Sequence, residues 1–154
     1  MTTEYKVNSG LISRIHILLG IVAKDTGMSA QEVKEYKVEL VKEYTDHRES
    51  STTKLSWKEA KDMIAGLEQR TGGSWTPEQI QADRRRKRIL HYAHEMMWVL
   101  PSAKGRLKVD VQRVNGWCIS HGYLHKPLND YTLTELSKLV WQMQQAHEAF
   151  LNAV

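Results

Sequence analysis

The chain is poor in several things, and each scarcity excludes something. A single cysteine, Cys118, in 154 residues rules out an intramolecular disulfide framework and suits a reducing compartment. Three prolines and nine glycines argue against long disordered linkers. The longest apolar run, residues 15–23, is broken by His16 and Gly20 and is too short to cross a bilayer, so no membrane partner is expected. The opening MTTEYKVNSG holds an acid and no apolar stretch with a cleavage site, which is unlike a secretory signal. No window of alternating β-branched residues reads as a strong strand, and only Lys108-Val-Asp-Val suggests a short extended piece. Also missing are a Ser–His–acid arrangement, a phosphate-cradling glycine loop and a nuclease-like carboxylate cluster, so neither an enzyme nor a cofactor is expected.

What the chain has is helix punctuation. Ser29-Ala-Gln-Glu32, Ser56-Trp-Lys-Glu59, Thr76-Pro-Glu-Gln79 and Thr132-Leu-Thr-Glu135 each fit a capping box. In that arrangement a hydroxyl accepts from the third helical N–H and a Glu or Gln reaches back to the cap. Each box precedes apolar residues at 3.6-residue spacing. The pattern predicts six helices and an all-α fold. The first covers residues 11–26, ended by Gly27. The second covers 30–45, with Val33, Tyr36, Leu40, Val41 and Tyr44 inward and Lys34, Glu35, Lys37, Glu39, Lys42 and Glu43 on a solvated face. The third covers 57–70, burying Trp57, Ala60, Ile64 and Leu67. The fourth starts at Pro77 and can reach Leu100. The fifth, 111–121, is stopped by Gly122. The sixth runs from Leu133 almost to the C-terminus. The only Gly-Gly, in Thr71-Gly-Gly-Ser-Trp75, suggests a boundary between an N-terminal three-helix unit (1–72) and a C-terminal one (73–154).

Charge is divided just as unevenly. Residues 1–75 hold 11 Lys/Arg and 11 Asp/Glu, whereas residues 76–154 hold 11 against 7, so the net charge of +4 lies in the second part. Such asymmetry points to a polyanionic partner for one half. Its centre is Arg84-Arg-Arg-Lys-Arg88, with Lys104, Arg106 and Lys108 following. Five successive cations sweep about 500° of helix. Arg84 and Arg88 therefore share a face with Arg85 near it, while Arg86 falls by the apolar stripe Ala82, Ile89, Ala93, Met96 and must snorkel. Guanidinium groups bind phosphate oxygens in a fork and release counterions. The expected nucleic-acid contacts are Arg84, Arg85, Arg88, Lys104, Arg106, Lys108, Arg113 and Lys126. An acidic protein is the other partner that fits, and the neutral first half would bind a protein or form a homodimer.

Cys118, His121 and His125 fall in a C-x2-H-x3-H spacing, and His91 lies four residues before Glu95. A structural zinc site needs paired cysteines or the longer two-Cys, two-His pattern, so no metal is expected. Cys118 falls on the stripe with Val114 and Trp117, as a small core residue does.

Both halves together resemble the GemA-like regulatory proteins of Mu-type transposable phages and prophages. The resemblance rests on Leu11-Ile-Ser-Arg-Ile-His-Ile-Leu18, Thr26-Gly-Met-Ser29, a helix with Tyr36 and Leu40, and Lys54-Leu-Ser-Trp-Lys-Glu59. It continues in Thr76-Pro-Glu-Gln79, Arg88-Ile-Leu-His-Tyr-Ala-His-Glu-Met-Met-Trp98 and Asn115-Gly-Trp-Cys-Ile-Ser-His-Gly-Tyr-Leu124. It covers nearly the whole chain, though residues 104–108 and 120–130 depart from the family pattern. It implies a small helical regulator in the cytoplasm of a bacterial host that modulates host gene expression, in a family associated with altered DNA supercoiling. It implies no catalytic residues.

Overall fold

The computed structural model describes residues 5–102 and 105–153. Among them are six α-helices: α1 Ser9–Thr26, α2 Ala30–Tyr44, α3 Trp57–Thr71, α4 Pro77–Glu95, α5 Val111–Ser120 and α6 Leu133–Ala153. Among the described residues the fold is all-α apart from one two-stranded hairpin, β1 Val99–Pro101 and β2 Leu107–Val109. All four capping boxes form. Ser29 and Ser56 accept from the third helical N–H of α2 and α3 while Glu32 and Glu59 bond back. Thr76 with Gln79 and Thr132 with Glu135 do the same for α4 and α6. Helix α1 starts two residues earlier than its periodicity suggests, because the Asn8 side chain accepts from Leu11 N.

Two compact units result, Met1–Ile80 and Gln81–Val154. The division falls after Ile80 rather than at Gly72–Gly73. Trp75 packs on the first core and Ile80, in the first turn of α4, is buried in it. The first unit closes α1, α2 and α3 around Ile15, Leu18, Leu19, Val22, Tyr36, Leu40, Met63 and Leu67. Each such buried aliphatic side chain stabilises the fold by about 1.5–3 kcal/mol. The second unit packs α4, α5 and α6 around Ile89, Ala93, Val114, Cys118, Tyr131, Leu136, Leu139 and Met143.

Three expectations from periodicity are corrected. Trp57 is 44% exposed, not buried. It is the first residue of α3, and Cβ bonds tilt toward a helix N-terminus, which aims its side chain past the end of the packed stripe. Glu39 is buried rather than solvated, three residues from Tyr36 on the flank of the core stripe of α2. Helix α4 stops at Glu95 and does not reach Leu100. Met97 takes a left-handed φ of 63°, its N–H bonding His94 O and that of Trp98 bonding Ala93 O, both at 3.0 Å. This is a Schellman ending, with methionine in the place where glycine is usual. The chain then turns into β1, which pairs antiparallel with β2 in the register Val99↔Val109, Leu100↔Lys108, Pro101↔Leu107.

Two substitutions test these supports. Glu59 joins the capping box to an ion pair, its two oxygens 2.6 and 2.9 Å from Arg48 Nη2. Burial pushes its pKa up, but the bonds from Ser56 and the Arg48 charge outweigh that and hold it below the ordinary carboxylate value. A carboxylate with a depressed folded pKa stabilises above its unfolded pKa and loses that contribution as pH falls through the folded value. Urea titrations should therefore show Glu59→Gln costing about 1–2 kcal/mol at pH 7, the gap to the parent closing as the pH is lowered below 4.

Gly122 is buried, and a Cβ there would lie 2.3 Å from Cys118 O and 2.5 Å from the Tyr131 hydroxyl oxygen. Relief of a clash with backbone requires the α5 terminus to move. Gly122→Ala should destabilise the second unit by about 3 kcal/mol, visible as a lower urea midpoint, and an unchanged midpoint would show that the connector yields freely.

Candidate nucleic-acid interface

Most cations of the second unit fall into two groups with different work. In α4 all five are half-buried. Arg85 Nη1 donates to Leu133 O at 2.6 Å, and Arg86 Nη2 donates to Tyr131 O at 3.0 Å. Both carbonyls flank the start of α6, so these side chains tie α4 to it. Arg86 snorkels as expected, and its target is backbone. Arg85, expected on phosphate, is engaged in the same way. Lys87 Nζ is 3.5 Å from Asp83, Arg84 Nε donates to Gln81 at 3.1 Å, and Arg88 lies over the Tyr92 ring at 5.4 Å.

The second group surrounds the hairpin. Lys108 is exposed on β2, cross-strand from Leu100, and Arg113 is exposed in the first turn of α5. Arg113 stacks over Trp98 with 4.9 Å from guanidinium carbon to ring centroid. Trp98 in turn packs against Trp117 at 6.4 Å. Asp110 fixes the corner, its N–H bonding Trp98 O at 2.8 Å and its carboxylate accepting from Arg113 N to cap α5. Arg106 is half-buried in the hairpin loop, its N–H on Ser102 Oγ and its carbonyl accepting from Ser102 N. Gly105 supplies the left-handed turn with φ 74°. Lys104, expected in the same loop, lies outside the described residues.

Lys126 belongs to neither group. Its Nζ is 2.8 Å from Glu135 Oε1, the oxygen that also accepts from Thr132 N. The bond to Glu135 raises the Lys126 pKa, and the same bond lowers that of Glu135. Lys138, which the charge pattern did not single out, is exposed in α6 with its ammonium 4.7 Å from the Tyr123 ring centroid. Its four-residue spacing from Thr134 gives no sign of that ring, which comes from the connector.

The histidines and the cysteine are occupied structurally. Glu95 spans His91 Nε2 at 2.8 Å and His147 Nε2 at 2.5 Å, the second contact poorly aligned for a hydrogen bond. Tyr92 packs on the His147 ring at 4.8 Å. Ser120 Oγ donates to Gly116 O at 2.8 Å, so it meets His121 Nδ1, also at 2.8 Å, as an acceptor. A nucleophile needs the opposite polarity, with its proton passing to the imidazole. Burial pushes the Cys118 thiol up to about 11, away from a reactive thiolate. Among the described residues no group of three His, Cys, Asp or Glu is placed to hold a metal ion, and no helix is long and apolar enough to cross a membrane.

The two groups should separate on substitution. Arg86→Ala strands a carbonyl at the start of α6 and should cost about 1–2 kcal/mol, whereas Arg113→Ala on the surface should stay within about 0.5 kcal/mol of the parent. Equal melting temperatures for the two variants would remove the division of labour. No protein-family model, curated protein or solved structure was found to match the chain.

Proposed function

We propose that the protein is a non-enzymatic regulator of phage or prophage type, acting on host transcription or DNA topology in a bacterial cytoplasm through nucleic acid contact by the second unit. The observation that carries this reading is the exposed cationic rim of the hairpin and α5, Lys108 and Arg113 with Arg106 beside them. It lies in a unit holding 11 Lys/Arg against 6 Asp/Glu. A basic loop between two short strands, followed at once by a helix, suits tracking of a duplex backbone, and such contacts position a protein without reading sequence. Arg113 is already ordered by Trp98, so it loses less freedom when it meets a phosphate. The resemblance to GemA-like proteins supplies the biological setting.

A second reading is an adaptor that binds an acidic host protein, such as a topoisomerase or polymerase subunit. It is favoured by apolar side chains exposed in the same region, Met97, Leu100, Leu107 and Val111. A phosphate surface does not need them, and a protein interface does.

Binding of a labelled duplex across about 50 to 300 mM salt distinguishes the two. Lys108→Ala combined with Arg113→Ala should weaken binding and reduce the slope of log affinity against log salt by about 1.8, from two lost phosphate contacts. Arg84→Ala combined with Arg88→Ala should reduce it less. No binding at the lowest salt would discard direct DNA contact and leave the adaptor.

A further inference from the structure

We infer that the first unit carries a separate binding site, an open depression that takes a base of single-stranded nucleic acid against Trp57 and Tyr5. The N-terminal segment is pinned to the start of α3 by a lone antiparallel bridge, Lys6↔Ser56. Trp57 N donates to Tyr5 O at 2.6 Å and Val7 N to Leu55 O at 3.1 Å. These bonds hold two aromatic residues side by side at the surface, Tyr5 75% and Trp57 44% exposed. Together with Lys6 and Asn8 they line an open surface depression of about 410 Å³, which suits a planar group laid on a ring rather than an enclosed ligand.

The chemistry of the depression selects the ligand. Large planar rings left in water are expensive unless something covers them, and stacking accepts any base because every base has a π-face. The polar groups present are donors. Asn8 Oδ1 is taken by Leu11 N, which leaves its amide N–H groups. Lys61 holds its ammonium 5.1 Å from the Trp57 ring centroid, where a phosphate flanking a stacked base would need a cation. Lys6, Lys54 and Lys58 are exposed nearby in sequence; Glu59 is turned inward onto Arg48 and Ser56, and Asp62 is the exposed acid next to Lys61. Positive charge is thus concentrated here in a unit of 11 Lys/Arg and 12 Asp/Glu. An extended peptide adding as a strand is disfavoured, because among the described residues the bridge is a single pair and offers no ladder to extend. The site lies in the first unit and the hairpin rim in the second.

The test is fluorescence anisotropy of the full chain with a labelled ten-residue oligothymidylate and, separately, a labelled duplex, at low salt. Trp57→Leu keeps apolar bulk and loses the plane. It should raise the oligothymidylate Kd about tenfold and leave the duplex Kd unchanged, since duplex bases are already stacked, while Trp57→Phe should restore most of the affinity. Should Trp57→Leu disturb folding, Tyr5→Leu at the more exposed ring gives the same comparison. Equal oligothymidylate binding by parent and leucine variant overturns the inference, as does equal weakening of both nucleic acids. Competition by polyglutamate that matches unlabelled oligothymidylate would overturn it in favour of an acidic peptide, and thymidine monophosphate competing as well as the ten-mer would overturn it in favour of a free nucleotide. Loss of duplex binding in the Lys108, Arg113 double variant, with oligothymidylate binding kept, shows that the two sites stand or fall separately.

Discussion

Tyr131 is where the long connections of the second unit meet. Its carbonyl accepts from Arg86 of α4, its hydroxyl accepts from Leu124 N in the connector, and its ring packs on Tyr123 at 5.9 Å. The hydroxyl comes so close to the backbone that only glycine fits at position 122. A buried phenol must find a partner or lose the free energy of its hydration; here the connector supplies one through Leu124 N, while α4 holds the same residue by its carbonyl. The connector is further held by Asn115, whose side-chain oxygen accepts from Leu128 N at 3.0 Å. The direction of α6, and hence the face it gives to the core, follows from this node rather than from propensity in the connector.

Local physics was legible in the sequence and remote physics was not. Capping boxes could be read because their two bonds lie within three residues, and all four formed. Gly27 could be read as a stop because a left-handed residue without a Cβ is cheap there. The end of α4 was illegible for the complementary reason: Met97 takes the same conformation without being glycine, held there by the turn into the hairpin. The strands were hidden because each has three residues, too few for an alternation to register. Arg85 and Arg86 read as a charge run because their partners are 48 and 45 positions away. The same distance effect concealed Tyr5 beside Trp57, joined only by the bridge at Lys6.

The basic composition thus serves two purposes that a count cannot separate. Arginines of α4 reach the carbonyls of Leu133 and Tyr131 around the start of α6, each through one guanidinium nitrogen. Lys108 and Arg113 by the hairpin are exposed, and Arg113 also covers an aromatic face. A cation over a ring gains about 0.5–1 kcal/mol at an exposed site, enough to order a side chain and too little to consume its charge. Arg113 over Trp98 and Lys138 over Tyr123 share that design.

Cys118 lies wholly inside the second core, and burial holds its thiol in the protonated form at neutral pH. Since it is the chain's only cysteine, the folded surface is silent toward maleimides and other thiol reagents. A cysteine introduced at the hairpin or beside Trp57 would become the sole reactive handle, so a fluorophore or spin label could report from one chosen place without first removing the native thiol.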